Sequence, residues 1–391
     1  MKSIGKNLTM IICTVSIFFA SVPPVFAQPP DNAALLYYQA FLLYEKPDDT
    51  TDKMLSDFRN GKIKAHEAIE QYIEKNHKVI DFVVTAANIP NCDWGYDYSQ
   101  GLELMMPNLA QLRRITYLIQ TDAKLLAEKG DYKKALDRCL SMHKIALHAA
   151  GRTIIGYLVA TALGNHANNI IQDILTEMPE DLQTLQWFRN QLVEVYNKPL
   201  PLKNVLSIEN EVLGKYITKE KFNELLSNKD LIAEASLLKL AGKRFIADEQ
   251  FLAKNRDYWQ NYFSTVKAAL DLPYEQAFAE LKSIEDKTKK DVTENPDATM
   301  TAILAAPFSK IYSQQTAAKN FSNALMVAVK LYVIKAKDGN LPDKLPENLP
   351  KDLFSGKPFE YSKTDNGFTL RCRGKDLSDK NKKTYEYEFK L

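Results

Sequence analysis

The chain has 391 residues, 45% of them hydrophobic and 10% aromatic, which is enough apolar surface for a substantial core and argues against disorder. Its formal charge of +2 comes from 51 basic and 49 acidic residues, and Lys2 and Lys6 supply the excess. The remainder is neutral with evenly mixed signs, so it lacks the long-range field expected of a protein that binds nucleic acid or an anionic membrane.

Lys2 and Lys6 precede an apolar run from Met10 to Ala20, and Val25-Phe26-Ala27 places compact residues where a signal peptidase cuts. The pattern predicts a signal peptide over residues 1–27, cleaved after Ala27, and export to the periplasm or the extracellular space. No later apolar run approaches the roughly 20 residues needed to cross a bilayer. The best of them, from Phe321 to Ile334, is interrupted by Asn323 and Lys330, so no stable span is expected after cleavage. Cys13 lies far from the cleavage point, which disfavours lipid attachment. Cys92, Cys139 and Cys372 remain. A Cys92–Cys139 disulfide and three small buried hydrophobes are both open readings.

Helical periodicity dominates from Asp31 to Asp338. Asp31 is expected to cap a first helix with Leu35, Tyr38 and Leu42 on its early face, ended by Pro47 and an Asp/Thr cluster. Ile69, Tyr72, Ile73, Ile80 and Val83 predict one further helix, stopped near Pro90. The irregular stretch from Cys92 to Gly101 carries two glycines and three aromatics, as in a loop pinned by its own side chains. A hairpin follows: a helix over 108–128, a turn at Gly130-Asp131, and a helix over 132–149. Further helices are predicted over 153–177, 181–195, 205–216, 219–226, 231–251, 258–269, 274–292, 298–312 and 316–336. Pro199-Leu200-Pro201 is a candidate subdivision, near 196–204. The charged stretch from Lys282 to Asn295 reads as a solvated helix face or a linker.

After Asp338 three Leu-Pro pairs favour extended backbone, and alternation replaces helical period. Phe359/Tyr361, Phe368/Leu370/Cys372 and Tyr385/Tyr387/Phe389 each share a face, with Asp365-Asn366-Gly367 as a hairpin turn. Arg371, Arg373, Glu386 and Glu388 take the other face. The expected fold is therefore mainly α, an irregular, solenoid-like array of helical hairpins with a small C-terminal three-stranded antiparallel β element. A helical-hairpin domain over 28–315 would be followed by a long helix and β element over 316–391.

Two resemblances follow from particular blocks. Asn32-Ala-Ala-Leu-Leu-Tyr-Tyr-Gln-Ala-Phe41, Cys92-Asp-Trp-Gly95 and the Gly130-Asp131-Tyr132 hairpin together resemble an uncharacterised family of secreted bacterial helical proteins, which implies a class and not a reaction. Leu349-Pro-Lys-Asp-Leu-Phe-Ser-Gly-Lys-Pro-Phe359 and Asn366-Gly-Phe-Thr-Leu370 are similar to the C-terminal part of type II secretion pseudopilins. That resemblance implies a borrowed small domain, because the pilin leader helix is lacking. Where that family continues into a calcium loop, this chain offers only Asp376 and Asp379 as charged ligands, amid lysines, so no metal site is expected.

The best recognition candidate is the loop from Cys92 to Gly101. Trp94, Tyr96 and Tyr98 can stack on a ring or sugar, Asp93 and Asp97 can accept hydrogen bonds, and Arg113 and Arg114 can hold an anion or pair with those aspartates. The alternative is that Trp94 plugs the helical core and Asp93 caps a local turn. Cys139 and His143, four apart on a helix, read either as a thiolate–imidazole pair or as part of a packing stripe. His66-Glu67-Ala68-Ile69-Glu70 begins like a zincin helix but has Glu70 where the second histidine belongs. No G-x-S-x-G, P-loop, dinucleotide fingerprint or H-E-x-x-H occurs. No residue is therefore assigned to catalysis and no cofactor is expected. The leading reading is a non-catalytic binding or scaffold protein of the cell envelope with a protein or small-molecule partner. An envelope enzyme with a pocket near Cys92–Gly95, or an accessory of a secretion or pilus-like system, are the alternatives.

Overall fold

The computed structural model describes residues 30–198, 202–227 and 248–391. The signal segment, the Pro199-Leu200-Pro201 break and most of the helix expected over 231–251 lie outside the described residues. The chain is mainly α with a small three-stranded antiparallel sheet at its C-terminus.

Among the described residues, four short helices come first: α1 (Ala33–Leu43), α2 (Asp49–Arg59), α3 (Glu67–Lys75) and α4 (His77–Ala87). Asn32, not Asp31, caps α1 through its side-chain oxygen. The Asp/Thr cluster expected to be a loop instead starts α2. Asp48 accepts from the Thr51 amide, and Asp49 and Asp52 sit in the first turn, where carboxylates oppose the helix dipole. The single helix expected through Ile69 and Val83 is broken at Asn76. That residue is fully buried, and its side chain bonds Glu45 and Tyr72 backbone groups, so a polar tether interrupts the apolar stripe.

The hairpin forms as expected from α5 (Pro107–Glu128) and α6 (Tyr132–Ala150), with Asp131 capping α6. Helices α7 (Ile154–Glu177) and α8 (Leu182–Tyr196) start from Thr153 and Asp181 caps, and α5, α6 and α7 pack one against the next. Then come α9 (Leu202–Gly214), α10 (Lys219–Ser227), α11 (Glu249–Ala269) and α12 (Tyr274–Glu294), the last of which absorbs the charged stretch. The helix expected over 298–312 is divided. α13 (Thr299–Leu304) ends before Pro307, and α14 (Phe308–Asp338) runs on for 31 residues through the expected 315/316 boundary.

Strands β1 (Glu360–Thr364), β2 (Gly367–Arg371) and β3 (Glu386–Lys390) pair antiparallel in that order. The register sets Arg371 opposite Glu386, at 3.8 Å between charged groups. Phe368, Leu370, Cys372, Tyr387 and Phe389 bury the inner face. It meets α14 through stacked Phe321 and Tyr387 rings and through the Tyr332 hydroxyl, which donates to the Lys390 carbonyl at 2.5 Å.

Three apolar cores result. One joins α1–α6 with the middle of α7, a second joins α7, α8, α14 and the sheet, and a third lies among α9, α11, α13 and the start of α14. α7 feeds all three: Ile154 and Tyr157 enter the third, Ala160, Leu163 and Ala167 the first, and Ile170, Ile171, Ile174 and Leu175 the second.

The segment before and after the sheet is organised by Asp352, which has no exposed surface. One carboxylate oxygen accepts from Asn320 Nδ2 and the Phe354 amide, the other from Ser355 Oγ and the Arg373 and Gly374 amides, all at 2.6–3.0 Å. Five donors thus tie the Leu-Pro segment to the end of β2.

Candidate functional site

The loop from Asn91 to Tyr98 is built from both ends of the first core. Asn32 grips Asp93 twice, accepting from its amide at 2.9 Å and donating to its carbonyl at 2.8 Å. The Ala33 amide donates to the Asn91 carbonyl. The Asn32–Phe41 and Cys92–Gly95 blocks, sixty residues apart in sequence, therefore meet in space. Asp93 accepts from the Gly95 amide at 2.9 Å, and Gly95 takes φ +71°, a left-handed turn that favours glycine.

That turn drives Trp94 inward. Its ring stacks on Tyr37 and Phe41, meets Tyr38 edge-on, and is 8% exposed. Its Nε1 donates to the His148 carbonyl at 2.8 Å, and the Tyr37 hydroxyl lies 2.9 Å from His148 Nδ1. Burial pulls the His148 imidazole down to about 4, so it is neutral at physiological pH. Trp94 is a plug, and its indole is not a free stacking platform. Of the candidate aromatics, Tyr96 and Tyr98 line the neighbouring cleft.

Beside the loop lies a cleft of about 880 Å³, closed by the last turns of α6 and α8. Tyr96 and Tyr98 stand edge to face at 5.8 Å on one wall, and Tyr96 donates to Asn108 at the start of α5. The Arg152 guanidinium lies 5.5 Å from the Tyr98 ring centre. Lys144 donates to Asn88 at 2.6 Å, and burial lowers its pKa from the ordinary lysine value. Asp93, Glu194 and Lys198 complete a rim of both signs. Asp97 caps the following turn, and hydrogen bonds from Ser99 hold its carboxyl below the ordinary range.

Arg113 and Arg114 are not part of this cleft. Asn108 faces the loop, and residues five and six further on stand roughly 140–240° around an α-helix from it. Arg113 donates to the Tyr117 hydroxyl at 3.0 Å, and Arg114 lines a separate cleft with Tyr44, Asp52 and Arg59. The Cys92–Cys139 bridge is not formed. Both thiols are free, because Cys92 packs against the first core and Cys139 within the second. Burial pushes the Cys92 thiol up to about 12 and raises that of Cys139 further still. His143 is pulled down to about 4 by burial, and its Nε2 faces the Tyr196 hydroxyl at 3.5 Å. The pair four apart is thus part of the packing, not an ionised thiolate and imidazolium.

No family model, curated protein or solved structure matches this chain. Lys144, Arg152 and Glu194 escape sequence reading because each sits at or near a helix end whose neighbour is set only by tertiary packing. Near the C-terminus, Asp376 accepts from Ser313, Ser378 and Tyr385, so its oxygens already have protein donors. Among the described residues, no group of three or more His, Cys, Asp or Glu is arranged to hold a metal, and no helix is long and apolar enough to cross a membrane.

Proposed function

We propose that the protein is an exported, non-catalytic binding protein of the cell envelope that holds a polar segment of a protein partner in the cleft beside Tyr96 and Tyr98. Export rests on the basic, apolar and small-residue pattern of residues 1–27. The observation that carries the binding role is the 880 Å³ cleft itself, walled by a loop fixed at both ends. A rigid aromatic wall with Arg152 stacked on it binds at low entropic cost, and a rim of both signs suits a peptide carrying both charges. Cys92, the thiol in the cleft lining, keeps its proton at neutral pH, which favours binding over thiolate chemistry.

The test combines fractionation with site-directed crosslinking. The processed chain is expected in the periplasmic or extracellular fraction. A photo-crosslinker at Ser99 should capture one partner, lost on Arg152→Glu and on Tyr98→Ala while Arg113→Ala leaves it. A chain that stays unprocessed in the cytosol, or a crosslinked product indifferent to Arg152 and Tyr98, would overturn the proposal. Turnover of a substrate by the purified protein, abolished by Cys92→Ser, would put the enzyme reading in its place.

A further inference from the structure

A second cleft, of about 420 Å³, opens where α6, α7, α8 and α14 meet. It exists because Ala146 on α6, Ala160 and Gly164 on α7 and Ala318 on α14 line it with small side chains, leaving a space that larger ones would fill. Its volume lies in the range of pockets that hold small molecules. It shares Leu147, Val195 and Lys198 with the first cleft but differs in chemistry.

Among the described residues, its lining contains no aspartate or glutamate. Two lysines, Lys198 and Lys319, supply the formal charge, and the remaining polar groups are neutral. Asn168 and Gln315 are buried there. Asn168 accepts from the Tyr196 hydroxyl at 2.7 Å and donates to Ser322 at 3.1 Å, so three helices fix its amide. His143 is neutral beside Tyr196 and adds no charge. Lys319 lines the cleft and is an exposed residue, and the surrounding protein lowers its pKa from the ordinary lysine value. No described carboxylate forms an ion pair with it. A cation beside a cavity whose described lining offers no carboxylate is stabilised by an anion entering that cavity.

The shape of the wall narrows the class of anion. Most of it is apolar, formed by Leu147, Tyr157, Val195, Leu353 and the small residues. Neither an arginine nor a helix N-terminus lines it, the two devices that commonly hold a phosphate. We propose that this cleft binds a small organic monocarboxylate, with the carboxylate on Lys319, its apolar body against Tyr157 and Leu147, and neutral polar groups directed to Asn168 and Gln315.

Calorimetric titration of the full chain with butyrate, hexanoate, benzoate and phenylacetate, each beside its primary amide, and with inorganic phosphate tests the assignment. At least one carboxylate should bind saturably, and its amide roughly 10- to 100-fold more weakly, as expected for loss of a charge-assisted contact. Lys319→Met should reduce the carboxylate to the level of the amide. Gly164→Leu, which fills the cleft from α7, should remove both, and Arg152→Glu in the other cleft should change neither. Thermal unfolding of each variant establishes that it is folded. Equal binding of acid and amide, binding indifferent to Lys319→Met, binding of phosphate alone, or no saturable binding of any probe would each overturn the proposal.

Discussion

Two loops, at opposite ends of the chain, are fastened by the same device in different surroundings. Near the N-terminus the neutral Asn32 side chain grips the backbone of Asp93 in a partly exposed position. Near the C-terminus the Asp352 carboxylate grips three backbone amides from a site with no solvent access. Water can replace the partners of the first clasp, whereas the carboxylate of the second has no exposed surface, so burial decides what each contributes. The exposed clasp fixes the loop whose Tyr96 and Tyr98 line the cleft, whereas the buried one ties the Leu-Pro segment to the end of β2.

The largest test of that difference is Asp352→Ala. It orphans five donors inside the protein and should cost about 3–5 kcal/mol, read by urea unfolding. A loss under about 1 kcal/mol would mean that water reaches the site and that the contrast fails.

Acid should come next. His148 behind the Trp94 plug and His143 between the clefts are both held near pH 4 in the fold, below the ordinary value of 6.5. The unfolded chain therefore binds more protons between pH 6.5 and 4, and stability falls as pH drops through that window. The effect should be on the order of 2–3 kcal/mol for each histidine once the pH is below both values. Replacing His148 with Gln should flatten part of the slope in a pH series of thermal melts, and an unchanged slope would remove this residue from the account.

Asn32→Ala should cost only about 1–2 kcal/mol, since it removes one helix cap and a partly exposed clasp. It should nonetheless raise amide exchange across 91–98, which Asp352→Ala should leave untouched. The smallest effect belongs to Arg113→Ala with Arg114→Ala, within about 0.5 kcal/mol by denaturant unfolding, because both side chains are exposed.

Features that rest on local chemistry were legible in the sequence. The Gly130-Asp131 turn, the helix starts near Thr153 and Asp181, and the β alternation around Asp365-Asn366-Gly367 each depend on a few adjacent residues. The misreadings have different causes, distant at Asn76 and local at Asp48 and Pro307. Asn76 breaks an apolar stripe because Glu45 comes to meet it, and Asp48 starts a helix where its neighbours suggest a loop. In the candidate site, two glycines and three aromatics in an irregular stretch singled out the Tyr96 and Tyr98 loop, but proximity in sequence placed Arg113 and Arg114 with it. Helix rotation turns them away, and Arg152 arrives from the far end of the next helix.

The passage of α7 through all three cores has a consequence for how the protein comes apart. Each core, on melting, would strip one stretch of the same helix and leave the others holding an unsupported rod. The cores should therefore unfold in one cooperative transition. The slowest-exchanging amides should cluster in α7, and a protease cut within that helix should release no stable fragment on either side.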